Sequence, residues 1–243
     1  MTNEALARLR GKVALITGGS KGIGEAIARA YVREGAQVFI CGRTRAEIDR
    51  TVSEIRADGK IAGTVGDVGK LEDAGRIVRE AVDEFGGIDV LVNNASLLGP
   101  RVSIASYPPE VWEEVLRVNL TGLFFVTQPV LQMMIPRRQG SIINLSSGVG
   151  RVGKARWGAY APSKFGVEGF TQMVAEEVRE FGIRANTVNP GATRTQMRAA
   201  AYPDEDPAKL PTPDQITEIF IYLASDQSAG VTGQSLDARE WER

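Results

Sequence analysis

The 243-residue chain contains no histidine and one cysteine, Cys41. A lone cysteine excludes an internal disulfide. Together the two shortages remove the Cys-cluster and His ligands of zinc sites, which argues against a zinc-dependent dehydrogenase mechanism. Without imidazole, proton transfer near neutral pH must fall to another side chain. No apolar run reaches the roughly 18 residues of a membrane span, and 1–10 lacks the apolar core of a signal peptide. The expectation is therefore a cytoplasmic protein with no membrane partner. The net charge of −1 is too small for a general nucleic-acid binder. Hydrophobic residues make up 43% and charged residues 24%, as in an ordinary globular protein, and this length suits one α/β unit.

Short apolar runs alternate with longer amphipathic ones. The runs at 13–17, 37–41, 61–65, 88–93, 141–145 and 184–188 are almost continuously apolar, as strands covered on both faces must be. Helical stretches lie between them at 22–34, 45–57, 71–85, 110–135 and 159–181. This order predicts right-handed crossovers and a doubly wound parallel sheet of about seven strands with helices on both faces, a Rossmann fold. A short helix is expected at 214–224 and a seventh strand at 231–236. No composition shift divides the chain, so 1–243 reads as one domain, with a short arm at 1–10 and a substrate loop at 190–213 rich in proline and polar residues. Cys41 follows Val38-Phe39-Ile40 and reads as a buried structural thiol.

The first predicted strand runs into Thr17-Gly18-Gly19-Ser20-Lys21-Gly22-Ile23-Gly24 and then a helix. The spacing G-x-x-x-G-x-G differs from the usual G-x-G-x-x-G, but the physics is shared. Gly18 permits a tight turn, Gly22 lets backbone approach a pyrophosphate, and Gly24 allows close helix–strand packing. The helix N-terminus faces the phosphates. An acid at the end of the second strand would hold the free 2′-hydroxyl of NAD. Here Cys41-Gly42-Arg43 stands instead. Arg43, with Lys21 nearby, suits a 2′-phosphate, so NADP(H) is the predicted cofactor. In Gly66-Asp67-Val68, Asp67 would accept from adenine or cap the next helix. Asn93-Asn94-Ala95 ends the fourth strand, at the sheet edge where such folds bind ligands.

Tyr160 and Lys164 stand four apart, on one face of a helix. A free tyrosine titrates near ~10, and an adjacent ammonium favours the phenolate, making an acid/base without histidine. Pro162 between them is tolerated only in a first turn, which starts the helix near Gly158.

From Lys12 to about Leu236 these motifs, with Asn119, Ser147 and Asn189-Pro190-Gly191, resemble the short-chain dehydrogenases/reductases. The branch most similar in length and layout is that of the 3-oxoacyl-(acyl carrier protein) reductases. The resemblance implies that Tyr160 donates a proton to a carbonyl and that Lys164 tunes it and holds the nicotinamide ribose. It further implies that Ser147 polarises the substrate oxygen, that Asn119 holds a relay water, and that Pro190, Gly191, Thr193 and Thr195 line the cofactor. It implies a small-molecule carbonyl substrate and a homotetramer built on 110–135 and 159–181. Candidate pocket residues are Leu97, Leu98, Val149, Trp157, Met197 and Tyr202. Arg156, Arg194 and Arg198 would meet an anionic substrate or face water, and Arg137-Arg138 would dock acyl carrier protein or form a solvated turn. Two departures stand out: Ser96 replaces a glycine after Ala95, and Asp237-Ala238-Arg239-Glu240-Trp241-Glu242-Arg243 replaces a glycine-rich ending. Carbonyl, sugar or alcohol dehydrogenases of the same family are the alternative reading. A non-catalytic NADP(H)-binding regulator is the alternative from another class.

Overall fold

The computed structural model describes residues 7–241. Seven parallel strands form one sheet in the order β3-β2-β1-β4-β5-β6-β7. They are β1 Val13–Thr17, β2 Gln37–Gly42, β3 Ile61–Val65, β4 Val90–Asn93, β5 Gly140–Leu145, β6 Ile183–Asn189 and β7 Ser235–Asp237. The continuous apolarity of the strands has a direct cause. In β1, Ala14 and Ile16 enter one core while Leu15 enters the other; Val38 and Ile40 in β2 part from Phe39 and Cys41 in the same way. Side chains alternate across a strand, so a sheet covered twice needs apolar residues at every position.

One core is closed by α1 (Gly22–Arg33), α2 (Arg45–Ile55) and α8 (Glu218–Ala224). The other is closed by α3 (Leu71–Phe85), α5 (Gly122–Arg137) and α6 (Tyr160–Glu177). Each fully buried Ile, Leu or Val in these layers contributes on the order of 1.5–3 kcal/mol of transfer free energy. The strand order reverses between β1 and β4, and their carboxyl ends open a crevice there.

The helix expected at 110–135 is three segments: α4 (Pro109–Leu116), a π-helical turn Arg117–Thr121, and α5. By length and composition 109–137 could cross a bilayer, but Val118, Val126, Val130 and Met134 pack it onto the sheet as a core element. The predicted loop holds a further helix, α7 (Gln196–Ala201). Six residues are too few for a visible helical period. The seventh strand is shorter and later than expected, and the helix foreseen at 214–224 begins as a 3-10 turn, Pro213–Ile216. Of the arm expected at 1–10, Arg8 joins Glu34 and Glu218 and Leu9 is buried in the core, so this part is docked; 1–6 lie outside the described residues.

Candidate active site and dinucleotide cleft

A cavity of about 650 Å³ runs along the carboxyl edge of the sheet. The glycine loop, Arg43 and Asp67 form one end of it, and Tyr160, Trp157 and Met197 the other.

The glycine turn is shaped by backbone conformation. Gly18 and Gly22 hold φ values of 63° and 57°, which side chains disfavour. A Cβ on Gly18 would lie 2.9 Å from Asn94 Nδ2 and 3.0 Å from Ala95 Cα. Asn94 braces the turn by donating to the carbonyls of Thr17 and Gly18, both at 2.9 Å. The turn therefore presents bare backbone at the start of α1, the cradle that a pyrophosphate requires. Ser20, Lys21, Gly22 and Ile23 line the cleft, whereas Gly24 sits behind it against the Gly18 carbonyl.

Arg43 is exposed at the cleft rim and makes no hydrogen bond or ion pair among the described residues. Lys21 is different: its Nζ lies 3.1 Å from Glu47 Oε1, and Ser20 Oγ lies 3.4 Å from Glu47 Oε2. Glu47 was not foreseen from sequence because it lies beyond the strand end, one turn into α2. Asp67 lines the cleft; its carboxylate accepts from Gly69 N at 2.9 Å and pairs with Arg117 at 3.1 Å. Asp67 does not cap α3, whose N-cap is Lys70, but its carboxylate oxygens retain lone pairs that an adenine could use. Val68, Ala95, Pro190, Gly191, Thr193 and Thr195 also line the cavity.

Asn93 does not line it. Its amide turns inside the protein and donates to Thr127 Oγ1 and Asn144 Oδ1, at 3.0 and 2.9 Å. As strand side chains alternate, Asn94 takes the cleft face. The Asn119 side chain is also committed: Leu97 N donates to its Oδ1 at 2.7 Å, and its Nδ2 donates to Leu97 O and Ser163 Oγ. It therefore braces the wall through its side chain, within the π-helical turn.

At the catalytic end, α6 begins at Tyr160, with Pro162 in its first turn. Gly158 precedes it with φ 42°, and a Cβ there would fall into the Tyr107 ring. Ser147 follows β5, and its hydroxyl is near enough to the Tyr160 phenol to favour the phenolate. Lys164 is buried; its Nζ donates to Leu145 O at 2.7 Å and lies 5.5 Å from the Tyr160 ring centroid. Desolvation lowers the Lys164 pKa to about 8. Tyr160 departs from expectation. Burial pushes its pKa up to about 12, outweighing the Ser147 hydroxyl. A low-dielectric pocket penalises the phenolate, so the group rests as a proton donor. Ser146 Oγ and Ser96 Oγ also border the cavity, buried and without a partner among the described residues.

The wall beyond Tyr160 is apolar and aromatic: Leu97, Leu98, Trp157, Met197 and Ala201. Val149 and Tyr202 pack behind it. Of the candidate anion-binding arginines, Arg194 donates to Pro207 O, Ala208 O and Leu210 O, and Arg198 pairs with Glu205 at 2.6 Å. Both hold the loop in place. Arg156 is exposed outside the cavity. Arg137 pairs with Asp89, and Arg138 donates to Glu180 O, and both side chains stay at the surface.

The cradle of bare backbone, the open cation and the unpartnered hydroxyls fit a dinucleotide. Known proteins agree with that geometry. The family model for short chain dehydrogenases matches residues 12–206. The uncharacterized oxidoreductase YciK of Escherichia coli K12 is 37% identical over 235 residues, covering 95% of this chain and 93% of that protein. The 3-oxoacyl-[acyl-carrier-protein] reductase FabG of Vibrio cholerae is 36% identical over 236 residues, covering 94% and 96%. A short chain dehydrogenase from Shigella flexneri, solved in complex with NADP, superposes with a TM-score of 0.92 at 36% identity, covering 96% of this chain and 99% of that one. The chain belongs to the short-chain dehydrogenase family and is an oxidoreductase.

Proposed function

We propose that this protein reduces a ketone to a secondary alcohol using NADPH, with 3-oxoacyl thioesters as the first substrate class to test. The observation that carries the reading is the convergence of Ser147, Tyr160 and Lys164 at the inner end of the dinucleotide cleft. The bound cofactor supplies a hydride to the carbonyl carbon. The Ser147 hydroxyl polarises the carbonyl oxygen, and the Tyr160 phenol gives that oxygen its proton. Lys164, held on Leu145 O, presents its charge to the tyrosine and the ribose. Asn119 supports the site by fixing the wall at Leu97. Gly22 and Ile23 would approach the pyrophosphate, Asp67 and Val68 would flank adenine, Pro190, Gly191 and Thr193 would line the nicotinamide, and Thr195 would lie near a phosphate.

The second reading, a broad-specificity carbonyl reductase, is supported by the apolar wall of Leu97, Leu98, Trp157 and Met197. The ion pair of Arg137 with Asp89 weakens the docking of acyl carrier protein through that residue. Turnover of 3-oxoacyl thioesters compared with simple ketones and sugars decides between the two. Absence of thioester turnover overturns the first, and absence of any ketone turnover favours a non-catalytic binder. A homotetramer in the cytosol belongs to the same proposal. The exposed Phe124 of α5 and Phe165 and Met173 of α6 support subunit contacts there, and a monomer in light scattering overturns it.

Cofactor choice is tested at the rim. A charge-assisted bond to phosphate contributes about 1.5–3 kcal/mol. Arg43→Ala is therefore expected to raise Kd for NADPH at least about tenfold and leave Kd for NADH unchanged. Glu47→Gln frees Lys21 and Ser20 and removes a negative charge, so NADPH binding tightens by a few-fold, because exposed ion pairs contribute little. Fluorescence titration reads both. Equal effects on the two cofactors would reject this pocket.

A further inference from the structure

Glu168 lies one helical turn after Lys164 on α6 and is buried, 7% exposed. The reaction proposed above makes no use of it. Its carboxylate accepts hydrogen bonds from Thr187 Oγ1 in β6 and Ser235 Oγ in β7, both at 2.7 Å, and pairs with Arg151 at 3.4 Å. Arg151 closes the turn that begins at Ser147, and it also pairs with Asp237 of β7 at 2.5 Å. Asp237 in turn accepts from Asn189 Nδ2 at 2.5 Å, and Asn189 Oδ1 accepts from Gly191 N at 3.0 Å. One buried carboxylate thus joins the serine turn, the lysine helix, the loop after β6 and the C-terminal strand.

The charges here balance only as a set. Near Glu168 are Lys164, one turn earlier on its own helix, and Arg151 on the serine turn, with Asp237 of β7 beyond Arg151. Two carboxylates meet two cations. Arg151 is shared between the acids, and Lys164, whose Nζ is bonded to Leu145 O, stands one helical turn from Glu168 as the second buried cation. A buried ammonium without a counter-charge sheds its proton, because burial penalises the charged form.

Resting on the reading of Lys164 as part of the catalytic set, we propose that Glu168 is a positioning residue: its buried carboxylate is the counter-charge that keeps Lys164 protonated and seated, and it ties the lysine helix to strand β7. Burial lowers the Lys164 pKa to about 8, and Glu168 is the group that opposes this fall. Removing its charge lowers the value further, so the ammonium is lost at lower pH.

The test is an NMR titration of ε-labelled lysine in the protein without cofactor, with Lys164 assigned by its loss in Lys164→Ala. In Glu168→Gln the Lys164 midpoint is expected to fall by about one pH unit, tenfold in proton affinity. The pH at which NADPH affinity drops should fall with it. Ser235→Ala removes one hydrogen bond and keeps the charge, so it lowers Tm without moving the midpoint. It separates electrostatic from structural effects, and Glu168→Asp, expected to show a smaller shift, serves if the glutamine variant does not fold. An unmoved midpoint in the charge-removing variant overturns the inference. Full turnover by Lys164→Ala overturns the catalytic reading instead, and the two failures are distinct.

Discussion

Tyr160→Phe is expected to lower kcat by roughly a hundred- to ten-thousandfold, the usual contribution of a positioned general acid. The substitution removes one oxygen and leaves the ring, which packs 5.5 Å from the Trp157 ring. The start of α6 and the cofactor cleft should be unchanged, so NADPH binding stays near that of the parent. Pre-steady-state and steady-state turnover with a saturating ketone, beside a fluorescence titration of NADPH, measure both halves. Turnover close to the parent would remove Tyr160 from its role. The pH dependence has a definite sign. The phenol, raised to about 12, remains protonated across the working range. The Lys164 ammonium, with its pKa lowered to about 8, loses its proton first. Reduction is therefore expected to be flat at neutral pH and to decline as pH rises through about 8. A decline that begins only near pH 10 would mean that the lysine charge does not matter.

Gly24→Ala should damage both cofactor binding and stability. An alanine Cβ would stand 2.5 Å from Asn94 Nδ2 and closer still to the Gly18 carbonyl oxygen. Neither can retreat cheaply, since Asn94 is fixed by bonds to Thr17 O and Gly18 O and the carbonyl is backbone. The N-terminus of α1 must move off β1, which costs about 1–3 kcal/mol, as overpacking usually does. For a chain of this size that corresponds to a Tm lower by about 2–4 °C for each kcal/mol. Affinity for NADPH should fall at least about tenfold, because the displaced backbone N–H groups are those that face the phosphates. Gly75→Ala in α3 is the control. Its Cβ would meet only the tip of Arg79 at 3.3 Å, and a flexible side chain yields. That variant is expected to gain about 0.5–1 kcal/mol from reduced backbone entropy in the unfolded chain. Equal Tm and NADPH affinity in Gly24→Ala and the parent would contradict the packing argument.

Much of this site was legible in the chain. The glycine spacing carries its own backbone requirement, and Gly18 and Gly22 hold the positive φ angles that it implies. Pro162 announced the start of α6, because a ring without an N–H is accommodated only in a first turn. Tyr160 and Lys164 followed from a four-residue helical spacing. Ser147 entered through the family pattern, and the structure sets it beside the Tyr160 phenol. Other residues were misjudged for identifiable reasons. Asn93 and Asn94 are adjacent and chemically alike, and only strand pleating decides which one faces the cleft. Arg194 and Arg198 looked available for an anionic substrate, yet carbonyls from 207–210 and the Glu205 carboxylate claim them. Glu47 and Glu168 carry no signal in the sequence, since an acid on a helix ordinarily faces water.

Local requirements thus decided the class of fold, the phosphate-cradling turn and the tyrosine–lysine pair, because backbone conformation and short-range spacing are written in neighbouring residues. The electrostatic state of the site arose only from packing. Lys164 is tuned by burial and by a carboxylate held from two strands, one of them more than sixty residues away in the chain. Tyr160 is kept a proton donor by desolvation, a property of its surroundings and not of its sequence neighbours. Charge in a low-dielectric interior depends on what folds against it, and distant segments meet only when the sheet is complete.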